Sequence, residues 1–178
     1  KGKRVVTSNK AVVAAKGPEL MKIAKENNAN YLFEASCGGG IPIIRPLCVS
    51  LTADKINSVK GILNGTTNFI LTKMTEEGSS FEDALKTAQK LGYAEADPTA
   101  DIDGLDVRAK LALSCDVAFS QMADAAAVPA LGIRHIAAAD VALFQQLGLT
   151  CRLIGKAART EAGVDASVEP MLFAADAT

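Results

Sequence analysis

RVVTSNKAVVAAKGPELMKIAKENNANYLFEASCGGGIP, residues 4–42, decides how the chain begins to fold. RVVT (4–7) is a short β-branched run suited to a strand. SNK follows as a helix start, with Ser8 or Asn9 as N-cap. A helix from about 10 to 27 has its apolar positions at Ala14, Leu20, Ile23 and Ala24, and Gly17-Pro18 is expected to interrupt or restart it. YLFEA (31–35) reads as a second strand. Strand, helix and strand with short links form the βαβ unit of a parallel sheet, here the last portion of a doubly wound, Rossmann-like domain. SCGGGIP then marks a boundary, separating residues 1–36 from 37–178.

Beyond the boundary the pattern changes. A helix is expected around 43–53, and NSVKGILNG (57–65) alternates apolar and polar residues as a strand does. Helices follow at about 66–76, from Ser80 to Gly92 and at about 104–120; Ser80-x-x-Asp83 is a capping signature for the second. The alanine clusters at 123–127 and 137–139 also look helical. TCRLIGKAAR and VDASVEPMLF read as two strands, antiparallel across the TEAG turn. The fold class is therefore α+β: a mixed or antiparallel sheet with helices covering one face, preceded by the βαβ portion.

Composition narrows the function. Of 178 residues, 49% are hydrophobic, enough for a sizeable core, and the net charge of −1 gives no footprint for nucleic acid or an acidic membrane surface. No stretch approaches the ~18 uninterrupted apolar residues of a membrane span, and KGKRVVTSNK lacks the apolar core of a signal peptide. Cys37, Cys48, Cys115 and Cys151 show no C-x-x-C spacing and read as reduced, buried residues of a cytoplasmic protein. The single histidine, His135, is expected at the surface or a helix end. The chain opens directly on a strand and ends just after another, as expected of a piece of a longer protein.

The stretch YAEADPTADIDGLDVRAK (93–110) places Glu95, Asp97, Asp101, Asp103 and Asp106 within twelve positions, with Lys110 four residues after the last. Its structural reading makes Asp103 a helix N-cap and Asp106 a first-turn acid favoured by the helix dipole, paired with Lys110 at i,i+4. But a helix start needs one or two acids, and five call for a positive partner. A ligand bearing an ammonium group would supply one, and a lysine one turn beyond Asp106 adds a mobile proton.

The segment AQKLGYAEADPTADIDGLDVRAK, Ala88 to Lys110, resembles the signature segment of homoserine dehydrogenases: an Ala, a Gly four on, then D-P-x-x-D-[aliphatic]-x-G-x-D-x-x-x-K. Three more segments resemble that family in the same order: VVTSNKA (5–11), FEASCGGGIP (33–42) and GILNGTTNFI (61–70). Together they span most of residues 4 to 173.

The resemblance implies NAD(P)-dependent interconversion of L-homoserine and L-aspartate 4-semialdehyde, in threonine and methionine biosynthesis. By similarity Lys110 exchanges the proton, Asp106 orients it, and Glu95 and Asp101 bind the substrate's polar end. Gly65 and Thr66, at a helix start with N–H groups suited to a carboxylate, would line the same pocket. Lys10 would lie beside both nicotinamide and substrate. A lysine opposes the dipole at a helix N-terminus, so its presence there hints at an anionic neighbour. The backbone carbonyls of Glu34, Cys37, Gly39 and Ile41 match the family's site for a monovalent cation such as sodium. The resemblance also makes residues 1–36 the end of a dinucleotide-binding domain and 37–178 a catalytic and dimerisation domain.

The family's GxGxxG turn and its C-terminal segment that closes over the nucleotide have no counterpart in this stretch, so most of the NADP or NAD site is expected outside it. A different class is a non-catalytic amino-acid-binding or oligomerisation module on the same fold. Such a module has no need of a proton-transfer lysine, whereas this sequence carries both Lys10 and Lys110. The expected assembly is a homodimer or higher homo-oligomer.

Overall fold

A computed structural model describes residues 3–120 and 124–176. The chain begins with β1 (Val5–Val6), α1 (Lys10–Glu26) and β2 (Tyr31–Leu32), and β1 pairs with β2 in parallel, Val5 opposite Tyr31 and Val6 opposite Leu32. This is the βαβ unit expected from the sequence. Asn9 caps α1, its side chain accepting from Val12 N–H at 3.1 Å. The expected break at Gly17-Pro18 does not occur: α1 runs straight through Pro18. A proline strains the residue before it partly through that residue's Cβ, and Gly17 has none. Gly17 is also buried, as is Val13 one turn earlier. The buried stripe is thus Val13 and Gly17 with Ala14 and Met21 partly covered, packed with Phe33, Cys37, Ile44 and Leu113. Ile23, an expected core position, is 48% exposed.

After a 3-10 turn at Glu34–Ser36, the helix expected at 43–53 is reduced to a short π-helical turn, Pro46–Ser50, closed by Leu51 N–H on Pro46 C=O at 3.0 Å. No side chain of its own caps it. The Glu34 carboxylate takes the preceding N–H groups instead, from Ile43 (2.7 Å), Ile44 (3.1 Å) and Arg45 (2.6 Å).

Then come β3 (Ser58–Gly61), α2 (Gly65–Glu77), α3 (Phe81–Lys90), α4 (Thr99–Ile102), α5 (Leu105–Phe119), α6 (Ala138–Gln146), β4 (Leu149–Thr160) and β5 (Gly163–Ala174). β3, β4 and β5 form a small antiparallel sheet in that order. The fold is α+β, as expected. Ser80 caps α3 through Asp83 N–H at 3.1 Å. Of the expected alanine helices, Ala138 opens α6 and Ala125–Ala127 forms a 3-10 turn; residue 123 lies outside the described residues. His135 is exposed in a turn, and all four cysteines are free thiols. Cys48 departs from the expected burial: it is exposed on the π-helical turn.

Spatially the chain divides into two compact units, one of residues 1–59, 109–128 and 156–166, the other of residues 60–108, 129–155 and 167–178. In the second, α2 buries Thr67, Ile70, Leu71 and Met74, and α3 buries Phe81, Ala84 and Ala88. The segment 129–133 runs beside β5, with Leu131 N–H on Val168 C=O (2.8 Å) and Val168 N–H on Pro129 C=O (3.0 Å). Ile133 N–H then bonds Ile102 C=O at 2.8 Å, fastening this segment to the end of α4. The approach requires Gly132: a Cβ there would stand against the Ile102 carbonyl oxygen, 2.5 Å from Asp103 Cα. Among the described residues no helix is long and apolar enough to cross a membrane.

Candidate active site

Both strands of the parallel pair end at the same place. Ser36 Oγ donates to Thr7 C=O at 3.3 Å, tying the turn after β2 to the end of β1. A cleft of about 460 Å³ opens there, lined by Lys10, Ser36, Gly38, Gly39 and Lys110 among others. The carboxyl ends of parallel strands are where ligands of such sheets bind. The two lysines, exactly one hundred positions apart in sequence, therefore face one cavity.

The helical turn carrying Lys110 is tied down from below. Ser114 Oγ donates to Lys110 C=O at 2.9 Å, and the Cys37 thiol lies 3.5 Å from Ser114 Oγ and 3.8 Å from Lys110 C=O. Cys37 and Ser114 are 1% and 2% exposed, so these weak bonds compete with no water. Sequence reading placed Cys37 in the glycine loop but did not find its partner.

In that loop, Cys37 N–H bonds Glu34 C=O (3.2 Å) and Ile41 N–H bonds Gly38 C=O (3.0 Å). Gly38 has φ +84°, and a Cβ there would stand 2.8 Å from the Ile41 carbonyl oxygen. That carbonyl folds over ground only glycine leaves open. A backbone carbonyl oxygen keeps a second lone pair after accepting one bond and is the kind of ligand a hard monovalent cation takes. Among the described residues no three His, Cys, Asp or Glu side chains cluster to hold a metal, so a cation here would rest on main-chain oxygens.

The acidic stretch divides its five carboxylates. Asp97 accepts from Thr99 N–H at 3.1 Å at the start of α4. Bonds from the Thr99 side chain and backbone hold its carboxyl below the ordinary value, and the Arg134 charge adds to this. Asp103 is not the N-cap of α5 that its spacing suggests. The short helix α4, which the sequence did not announce, brings Asp103 to its C-terminal end, with Asp103 N–H on Thr99 C=O at 3.0 Å. Its carboxylate turns to Arg134 in a two-pronged pair, Nε to Oδ1 at 2.9 Å and Nη2 to Oδ2 at 3.0 Å. Arg134 is thus a positive partner that the local pattern of acids could not reveal.

Asp101 and Asp106 have a different partner. Asn64, at the start of α2, donates to Asp101 Oδ1 at 2.7 Å and Asp106 Oδ2 at 3.0 Å. Asp106 is buried at 4% exposure and Asn64 at 6%, while Asp101 is half-buried. Next to Asn64, Gly65 is exposed and Thr66 buried, with Thr66 Oγ1 donating to Tyr93 C=O at 2.6 Å. Gln89 holds the same loop through Glu95 C=O (3.1 Å) and Ala96 C=O (3.3 Å), leaving the Glu95 side chain exposed.

The homoserine dehydrogenase family model matches residues 42–178, which contain this acidic stretch, its Asn64 partner and Lys110. The chain belongs to the homoserine dehydrogenase family. It is 48% identical over 171 residues to homoserine dehydrogenase of Bacillus subtilis strain 168, an overlap of 96% of this chain and 40% of that protein. A crystal structure of a homoserine dehydrogenase from Thiobacillus denitrificans matches with a TM-score of 0.91 at 44% identity, over 96% of this chain and 40% of that one. A hyperthermophilic archaeal homoserine dehydrogenase in complex with NADPH matches with a TM-score of 0.83 at 35% identity, over 98% of this chain and 50% of that one. The chain thus spans 40% of the length of its Bacillus relative. In this chain Asp97 and Asp103 are fastened by Thr99 and Arg134, and Asp101 and Asp106 are gathered by Asn64.

Proposed function

We propose that this chain is the catalytic region of an NAD(P)-dependent homoserine dehydrogenase, interconverting L-homoserine and L-aspartate 4-semialdehyde in threonine and methionine biosynthesis. The observation that supports this most is the cleft at the carboxyl ends of the two parallel strands, lined by Lys10 and Lys110. Two cations and a glycine-rich wall suit an anionic substrate or cofactor group, and a retained lysine pair disfavours a purely binding or oligomerisation role. The nicotinamide, when bound, accepts or supplies the hydride.

Lys110 exchanges the proton of the substrate oxygen. As an ammonium it gives that proton to the oxygen becoming an alcohol; in oxidation it takes the proton from the hydroxyl. Asp106 orients Lys110 from one turn earlier in α5. Glu95 and Asp101 receive the substrate's ammonium or hydroxyl end, and the N–H groups of Gly65 and Thr66 at the start of α2 face its carboxylate, since the first N–H groups of a helix have no partner within it. Lys10, which lines the same cleft as Lys110, would lie beside nicotinamide and substrate. The carbonyls of Glu34, Cys37, Gly39 and Ile41 would hold a monovalent cation such as sodium.

In the parent protein, residues 1–36 end the dinucleotide-binding domain and 37–178 form the catalytic and dimerisation domain of a cytoplasmic homodimer or larger homo-oligomer. The test is homoserine-dependent reduction of NAD and of NADP by a full-length protein carrying this region. Lys110→Ala should lower kcat by about 10²- to 10⁴-fold, the usual contribution of a positioned proton-transfer group. Full activity of Lys110→Ala at every pH would remove Lys110 from the mechanism.

A further inference from the structure

We infer that Asn64 is a positioning residue that clamps Asp101 and Asp106 at a fixed separation, a role distinct from its capping of α2. The inference rests on the functional reading above, which gives Asp101 to the substrate and Asp106 to the orientation of Lys110.

The side-chain amide of Asn64 uses its whole hydrogen-bonding capacity. Nδ2 donates one hydrogen to Asp101 Oδ1 at 2.7 Å and one to Asp106 Oδ2 at 3.0 Å. Oδ1 accepts from Thr67 N–H at 2.8 Å and from Thr67 Oγ1 at 3.0 Å. The orientation of the amide follows from chemistry. The Thr67 N–H can only donate, so the amide must turn its oxygen to the helix start and its nitrogen to the two acids. Two carboxylates held near one atom repel, and at 4% and 6% exposure Asp106 and Asn64 have little water to offset that. One planar donor that gives a hydrogen to each carboxylate both offsets the repulsion and fixes their spacing.

An N-cap needs only the oxygen half of this amide. Serine is as good a cap as asparagine, so capping alone does not call for asparagine at position 64. The nitrogen half serves only the two acids. Its partners lie 37 and 42 positions away in sequence, so the contact does not come from local helix chemistry.

The experiment separates the two halves in the full-length enzyme, with Lys110→Ala assayed in parallel. Asn64→Ser keeps the cap and replaces the two amide hydrogens with one hydroxyl hydrogen, which cannot bridge both acids; Asn64→Asp keeps the cap and adds a third carboxylate. Asn64→Ser is expected to lower the melting temperature by several degrees, because it strands the buried Asp106 carboxylate, yet to stay folded at the assay temperature while raising the homoserine KM about tenfold and lowering kcat about tenfold, with the KM for the nicotinamide cofactor unchanged. Asn64→Asp should lower kcat/KM for homoserine further, by about 10³-fold, since repulsion replaces attraction. Wild-type kcat and homoserine KM in a stable Asn64→Ser protein overturn the clamp. So does a fall in rate with both KM values unchanged that matches the loss of folded protein, since that is the cap alone. If Lys110→Ala is inactive while Asn64→Ser behaves as wild type, only the clamp fails. If Lys110→Ala keeps full activity, the site reading fails and takes the clamp with it.

Discussion

In the glycine loop, residues 34–45, the holding comes largely from the loop's own residues: Cys37 N–H on Glu34 C=O, Ile41 N–H on Gly38 C=O, and three N–H groups gathered by the Glu34 carboxylate. In the acidic stretch, residues 93–106, it is done by side chains from elsewhere: Thr66 and Gln89 on its early carbonyls, Asn64 on Asp101 and Asp106, Arg134 on Asp103. A loop held by its own residues tolerates changes of side chain other than its anchor, as long as its dihedral angles survive. A stretch held by outside side chains depends on the exact approach of its neighbours.

The sharpest break in that comparison is Gly132→Ala. The added Cβ would meet the Ile102 carbonyl and Asp103 Cα at distances that real structures do not show, and both neighbours are backbone that cannot swing away. We expect a loss of about 3 kcal/mol or more, at the top of the usual range for overpacking. In contrast, Gly39→Ala meets nothing within 4 Å and carries only the cost of φ +58°, about 1–2 kcal/mol. Urea unfolding of the two variants checks this. Equal losses would mean the acidic stretch is no more tightly fitted than the loop.

The contrast also explains how much the sequence could disclose. The βαβ unit was legible because β-branched strands, an Asn cap and an amphipathic helix are local signals, and Asn9, Val5–Val6 and Tyr31–Leu32 fall where those signals put them. Helix continuity at Pro18 was not, because burial of Val13 and Gly17 outweighs a local penalty. In the acidic stretch, the excess of carboxylates was visible, and so was the need for positive or donor partners. Their identities were not: Asn64 and Arg134 lie 37 and 31 positions from the acids they bind. The spacing therefore pointed to Asp103 as a cap, whereas the tertiary fold gives it to Arg134. The pairing of Lys10 with Lys110 in one cleft was expected from resemblance, since no local pattern links residues so far apart.

Within the glycine loop, Glu34 is the exception, the one side chain that organises the backbone. Glu34→Ala removes an acceptor from three N–H groups and should lower stability by about 1.5–3 kcal/mol, the range for bonds to a charged group, toward the lower end because Ile43 and Arg45 are exposed to water. Urea unfolding measures this as well. A loss under about 0.5 kcal/mol would show that the loop needs no side-chain anchor.

High pH acts on both compact units alike. Burial pushes the thiols of Cys115 and Cys151 up to about 11; Asp116 adds to the first, and Arg152 opposes the second. The unfolded chain releases these protons near 9.0, the ordinary thiol value, while the folded chain keeps them until about 11. The unfolded state therefore binds fewer protons in that window. The stabilisation is complete below pH 9 and is lost as pH rises toward 11. The urea midpoint should fall over this interval, and replacing both cysteines with alanine should make the fall shallower. An unchanged slope in the double variant would assign the alkaline loss to other groups.

The smallest effect is expected at the most conspicuous ion pair. Asp103 and Arg134 meet through two good hydrogen bonds, yet their side chains are 37% and 47% exposed, so water and salt compete for both. Asp103→Ala should leave the urea midpoint almost where it was. Asp106→Ala should lower it clearly, because it strands a buried amide hydrogen of Asn64. Raising the salt concentration should narrow any loss in the first variant and leave the second unaffected. If Asp103→Ala proves as damaging as Asp106→Ala, the outer carboxylates hold the stretch as firmly as the inner ones, and the division drawn between fastening acids and clamped acids does not stand.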